Sequence, residues 1–387
     1  MVENEWIVQK KLNIDEECFY ISRNKISVEM SDGKYSYIKF TKFLSDVKEN
    51  SFYKTFVDVF AQDVDYKIVF TCMDVDDNQL SRGYLEDNGR IVTPKNTVKI
   101  ELGVIVYSKK CGQFTLNNIE ISFDTEYTKR PVKLCSVCID YGVYGSYRTC
   151  EMNMDETVKV INEAVKESPD IIVLTETFYN RRVMEDVKEN ALTSDSEPID
   201  SLRELAKSNN CYIAFSFALT DENGYLRNAG ILIGRNGEIV GKYHKCHLTL
   251  SECEKGLVRG DEISVFDTDF GKVGFAICWD LFFPEHVRAL RKKGAEVIIN
   301  PTAGFSESRT CERAQENGVY IVTSAVDSRE MTRITSPLGE VLATAEEKQY
   351  AIAEVDLNKQ HYVYWLSCPS NTTTRNIYIN EMREDLY

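Results

Sequence analysis

The hydrophobic pattern of the chain changes character near residue 130. Before it, apolar and polar residues alternate in short runs, most clearly in KYSYIKF and NNIEISF. A period of two turns one side of a strand to a core and the other to solvent. Such runs occupy 22–30, 34–43, 53–62, 66–75, 97–108 and 112–123. Turn signals separate them, among them Asp32-Gly33, Asp76-Asp77-Asn78 and Asn88-Gly89. The spacing predicts an antiparallel all-β sandwich over residues 1–130.

After residue 131, strand and helix patterns alternate. Apolar runs at 132–141, 171–176, 211–219, 272–277, 295–301 and 319–326 read as buried strands. Between them, 155–166 is an amphipathic helix, with Val158, Ile161 and Val165 on one face and Asn153 or Asp155 as N-cap. Further helices are predicted at 199–209, 285–294 and 308–318, and a hairpin turns at Asn236-Gly237. Strands recur at 331–337, 339–345 and 350–357. The order predicts an α/β domain over 131–387, in which 357–387, with little periodicity, forms an arm.

Composition narrows the function. A net charge of −15 disfavours nucleic acid or an anionic membrane as partner, because both require a basic face. The acidic excess lies mainly in 131–387, with 28 Lys/Arg against 40 Asp/Glu, and reads as a solvated surface. The start, MVENEWIVQKK, lacks the apolar segment of a secretory signal, and no apolar run approaches membrane-spanning length. With twelve cysteines and no visible signal, a reducing, cytoplasmic setting is expected.

Three reactive side chains directly follow apolar strand patterns: Glu176 after IIVLT, Lys245 after IVGKYH and Cys278 after KVGFAI. Ligand-binding groups in open α/β sheets collect beyond the carboxyl ends of strands. The three are also chemically complementary. A carboxylate takes a thiol proton and returns it to a leaving amine, and an ammonium stabilises an oxyanion. The backbone N–H of Trp279 is the natural second oxyanion donor.

The segments LTETF, KYHKCHL and CWDLFFPE resemble the nitrilase, or carbon–nitrogen hydrolase, superfamily over residues 131–357. The resemblance implies a four-layer αββα sandwich and an acyl-enzyme mechanism without metal or other cofactor. It implies Glu176 as general base and acid, Lys245 as oxyanion stabiliser and Cys278 as nucleophile. The family's second glutamate falls on Glu252, with Glu254 close behind. Thr175 stands where the family usually has proline, which is expected to loosen the Glu176 loop. Trp279 after the nucleophile is similar to true nitrilases, whereas Asp280 and the following Phe-Pro-Glu are similar to amidases and carbamoylases. The end of the first region, GQFTLNNIEISF, resembles a galactose-binding-like jelly roll, which implies a packing module or a carbohydrate contact. The family commonly pairs its sandwiches, so a homo-oligomer is expected.

Each residue also has a plainer reading. Cys278 alone would be a core thiol, and Glu176 with Lys245 a structural ion pair. Asp280 would cap the following helix, with Glu285 in its first turn. Cys135 and Cys138, or His244, Cys246, His247 and Cys253, could suggest zinc. Residues three apart in a strand face opposite ways, and no tight second pair is present, so no metal is expected. A papain-like protease would carry its nucleophile near the start of the domain. The sequence therefore predicts a thiol hydrolase of a small linear amide or N-carbamoyl compound. The alternatives are a nitrilase and a sugar-binding protein with an inactive hydrolase domain.

Overall fold

The computed structural model describes residues 5–31, 34–85, 88–142, 148–183, 187–304, 306–364 and 372–374. The chain divides into two compact units, Met1–Thr128 with Gln360–Tyr387, and Lys129–Lys359.

The first unit is all-β. One antiparallel sheet runs Ile7–Leu12, Ser36–Leu44, Lys99–Ser108, Asp65–Met73, Gln79–Tyr84. The other runs Phe19–Ile21, Ile26–Met30, Gly112–Glu126, Ser51–Gln62, Arg90–Thr93. Alternation sends Ile38, Phe40, Val104 and Val106 of the first sheet, and Ile26, Val28, Phe114 and Leu116 of the second, into one apolar core. Ile7–Leu12, Phe19–Ile21, Gln79–Tyr84 and Arg90–Thr93 are strands without a readable sequence signal. They are short or, like the edge strand Ile7–Leu12, exposed at nearly every position.

The second unit contains two six-stranded sheets. The first is ordered Ile239–His244, Leu226–Ile233, Tyr212–Thr220, Ile171–Val173, Pro131–Val137, Tyr350–Asp356. The second is ordered Val265–Asp267, Lys272–Phe275, Val297–Thr302, Tyr320–Ala325, Arg333–Thr335, Val341–Thr344. Leu134, Val173, Ala214 and Leu232 of the first share a core with Val273, Phe275, Ile299 and Val322 of the second. The opposite face of the first sheet packs on helices Cys150–Ala164 and Glu197–Ser208. That of the second packs on Pro284–Lys292 and Glu307–Asn317. Strands covered on both faces take apolar residues at successive positions, which is why IIV and the opening VII of VIINPT show no alternation; both strands are buried throughout. Gly237 closes the predicted hairpin turn at φ +82°, where only glycine is unstrained.

Two local expectations are corrected. The first helix spans Cys150–Ala164, and Thr149 caps it by accepting from the Met152 N–H, not Asn153 or Asp155. Its buried face carries Asn153 and Thr157 beside Val160 and Ile161, because Asn153 clamps a loop. The Asn153 amide donates to the carbonyls of Tyr179 at 2.9 Å and Arg181 at 2.8 Å. Second, a 3₁₀ turn, Cys278–Phe282, separates the strand from helix Pro284–Lys292, so Cys278 does not sit at that helix's N-terminus. Among the described residues, no helix is long and apolar enough to cross a membrane.

Candidate active site

Four strand ends supply the site. Glu176 follows Ile171–Val173, Lys245 follows Ile239–His244, Cys278 follows Lys272–Phe275, and Ala303 follows Val297–Thr302. Glu252 comes from the short helix Leu250–Glu254, which Thr249 caps. Rigid ladders thus hold the backbone while side chains reach a common cleft of about 950 Å³. Glu176, Lys245, Glu252, Cys278 and Trp279 all line it. Glu254 is exposed and does not.

Lys245 is the centre of the polar network. Its Nζ lies 2.8 Å from Glu176 Oε1 and 3.0 Å from each carboxylate oxygen of Glu252. Asn228, inside strand Leu226–Ile233, ties the two acids together. Its Nδ2 donates to Glu176 Oε1 at 3.0 Å and to Glu252 Oε1 at 2.8 Å. Glu176 Oε2 accepts from the Ala303 N–H at 2.9 Å. Glu252 Oε2 accepts from the Thr249 N–H at 2.8 Å and hydroxyl at 3.0 Å, so this acid also closes a capping box.

The electrostatics follow from burial and proximity. Burial favours the neutral amine of Lys245, yet Glu176, Cys278 and Glu252 together outweigh it and hold the ammonium above its ordinary range. Burial also opposes the charge of Glu252, but Lys245, Asn228 and Thr249 keep its carboxyl below the usual range. The Cys278 thiol is pushed up by burial and by the Glu176 charge, against the opposing influence of Lys245, Thr302 and Ala303. A free thiolate beside two carboxylates would raise the local negative charge. Passing the thiol proton to Glu176 leaves the total unchanged, so a base in contact with the network is the economical route to a nucleophile.

Backbone conformation sets the sulfur. Cys278 has φ +47°, the left-handed region, and Thr177 beside Glu176 has φ +49°. Asp280, fully buried, holds the cysteine turn from within. Its Oδ2 accepts from the Ile277 N–H at 3.0 Å and the Tyr243 hydroxyl at 2.7 Å. Its Oδ1 accepts from the His247 N–H at 2.8 Å and pairs with His247 Nδ1 at 2.9 Å. Asp280 therefore caps the nucleophile's own turn, not the following helix, and fastens it to the segment that carries Lys245. Thr175 likewise departs from expectation. Its hydroxyl meets the Tyr141 hydroxyl at 2.7 Å, a tether that proline could not make in place of the loosening expected.

Asn228, Ala303 and Asp280 were not assigned site roles from sequence. Asn228 has a weak signal, a polar residue inside the apolar run LRNAGILI; a backbone N–H such as that of Ala303 has none. Cys135 and Cys138 enter different apolar clusters, and Cys253 is exposed. Among the described residues, His247, Asp280 and His286 bring possible metal-ligand atoms together. Both Asp280 oxygens are already engaged by hydrogen-bond donors, so this cluster acts as a bracket.

A family model described as carbon-nitrogen hydrolase matches residues 143–361, more than half of the chain. The chain belongs to the carbon–nitrogen hydrolase family. Within it, the chain is 35% identical over 225 residues to a nitrilase of Pyrococcus abyssi, covering 54% of this chain and 84% of that one. It is 28% identical over 232 residues to the omega-amidase NIT2 of Homo sapiens, again covering 54% and 84%. Nit3 of Saccharomyces cerevisiae, a nitrilase-superfamily member, superposes with a TM-score of 0.51 at 24% identity, over 58% of this chain and 90% of that one. An amidase from Nesterenkonia sp. does so with a TM-score of 0.53 at 18% identity, over 66% and 94%. These structural likenesses show that the carbon–nitrogen hydrolase fold is shared.

Proposed function

We propose that the protein is an amidase that cleaves a small linear amide or N-carbamoyl compound through a thioester. Glu176 accepts the Cys278 proton as sulfur adds to the carbonyl carbon. Lys245 and the Trp279 backbone N–H hold the resulting oxyanion. Glu176 returns the proton to nitrogen, the C–N bond breaks, and ammonia or an amine leaves. Glu176 next deprotonates water, which attacks the thioester and releases the acid with the thiol restored. Glu252 holds Lys245 and the substrate in register. The observation that carries this reading is the convergence of one ammonium, two carboxylates and a thiol on a single cleft. The order of helices, two packed sheets and helices supports reading the second unit as the αββα sandwich of the family.

The Pyrococcus relative and the Trp279 after the nucleophile favour a second reading, attack on a nitrile carbon. Ammonia release from matched amides, carbamoyl compounds and nitriles separates the two. Cys278→Ala is expected to lower turnover by at least about 10⁴-fold, and retained turnover would end the mechanism. Carbohydrate contact by the first unit and homo-oligomer formation are further expectations. Glycan arrays and light scattering read them independently.

A further inference from the structure

The turn that presents the sulfur is held at both ends. At its start, Asp280 accepts from the Ile277 N–H. Its far end has a different problem. The last carbonyls of a helical turn lack donors within the turn. Here the residue three beyond Leu281 is Pro284, which has no N–H to offer.

Arg313 supplies the missing donors from helix Glu307–Asn317. Its Nε donates to the Leu281 carbonyl at 3.2 Å and its Nη2 to the Phe282 carbonyl at 3.3 Å. Nη1 meets Glu316 at 2.9 Å. The side chain of Arg313 is 3% exposed, whereas that of Glu316 is 45% exposed. An ion pair to a surface acid three residues on does not require a buried guanidinium. The bond to the Leu281 carbonyl does, because that contact is itself buried. Two further bonds fix the arginine's own helix. Asn317 donates to the Arg313 carbonyl at 2.9 Å and accepts from Arg288 Nε at 2.6 Å. Arg288 belongs to Pro284–Lys292, the helix that follows the turn. The turn and the helix after it therefore share one anchor, Glu307–Asn317.

The turn is five residues long, so its end cannot shift without moving its beginning. Cys278, already at φ +47°, and the Trp279 N–H lie within it. Reacting groups displaced by about 1 Å lose on the order of 100-fold in rate. We propose that Arg313 is a positioning residue for the oxyanion site, fixing the direction of the Trp279 N–H through the Leu281 and Phe282 carbonyls. This rests on the amidase reading, which assigns that N–H to the oxyanion.

The test separates oxyanion binding from thiol reactivity. Acetaldehyde, butyraldehyde and benzaldehyde add to Cys278: sulfur bonds to the carbonyl carbon, the π pair moves to oxygen, and the thiol proton passes to Glu176. Iodoacetamide alkylates the same sulfur by displacing iodide, with no oxyanion, and mass spectrometry of the Cys278 peptide reads the rate. Arg313→Met is expected to weaken the aldehyde that wild-type protein binds best by about 10- to 100-fold. It should lower kcat for the matching amide by a similar factor, with KM and the alkylation rate within about 3-fold. Arg313→Lys restores part of both losses, since an ammonium reaches one carbonyl but cannot fork between two. Glu316→Gln removes the ion pair and keeps the arginine, and should leave every reading within about 2-fold. Aldehyde binding that neither Arg313 variant weakens overturns the proposal. So does alkylation that falls in step with aldehyde binding, which marks general damage to the turn, and so does an equal effect of Glu316→Gln. If Arg313→Met does not fold, Arg313→Lys, expected to lie between it and wild type, carries the same comparisons. Wild-type protein that takes up an aldehyde but hydrolyses no amide sinks only the amidase reading, because the aldehyde and alkylation rates still judge Arg313. Wild-type protein that takes up none of the three aldehydes overturns the oxyanion site and the proposal with it.

Discussion

The two units bury different kinds of polar residue. In Met1–Thr128 the buried polar groups are hydroxyls, such as Ser51, Thr55, Thr93 and Ser108, with Lys42 the single charged exception among the described residues. Thr93 shows the pattern: its hydroxyl meets the Lys48 carbonyl at 2.7 Å, a local knot that helps one fold hold. In Lys129–Lys359 the buried set includes Glu176, Lys245, Asp280, His286, Arg313 and Arg333, with Asn153, Asn228, Asn300 and Asn317. Ionised groups in a core are expensive unless paired. The first unit nearly avoids them. The second buries several, and two of them, Glu176 and Lys245, line the cleft. Burial of matched charge is thus a better guide to a site than burial as such.

That contrast can be broken by substitution, starting with the largest effect. Lys245→Met leaves Glu176 and Glu252 facing each other without a cation. The expected loss of stability is about 3–5 kcal/mol in urea unfolding, and smaller when both acids are also changed to Gln. If the single and combined variants unfold at the same midpoint, the network is not what balances these charges.

Asp280→Asn comes next. Burial works against the Asp280 charge, but the donors from His247 and Tyr243 and the nearby His286 hold its carboxyl below the usual range. A carboxylate with a depressed folded value contributes stability that is full above its unfolded value, about 3.9, and fades as pH falls through the folded one. Wild-type protein should therefore lose stability steeply below about pH 4, and Asp280→Asn should flatten that slope while costing about 1–3 kcal/mol at pH 7. An unchanged acid limb would remove Asp280 from the account.

The smallest effect belongs to the first unit. Lys42 is buried, its Nζ donating to the Arg23 carbonyl at 3.1 Å, and burial lowers its pKa. Without a carboxylate partner among the described residues, it should yield to Lys42→Met with a change within about 1 kcal/mol and unaltered amide turnover. A larger loss would show that this unit, too, depends on a buried charge.

What the sequence revealed follows the same division. Period-two runs such as KYSYIKF announced strands because one face is wet, and IIVLTE announced a strand through its apolar density. Glu176, Lys245 and Cys278 were legible because each interrupts such a run with a group that ought not to be there. Asn153 misled, since a polar residue near a helix start looks like a cap, and only the fold shows it clamping a loop. The Ala303 N–H was invisible: a backbone donor has no side-chain signal, and only the fold brings it to Glu176 Oε2 at 2.9 Å. Partnership between distant residues leaves no periodic trace.

The left-handed backbone at Cys278 sets local stability against chemistry within one residue. A side chain in that region costs on the order of 1 kcal/mol relative to glycine. Cys278→Gly would relieve that cost and remove the sulfur together, so the turn would fold more easily without the thiol it presents to the cleft.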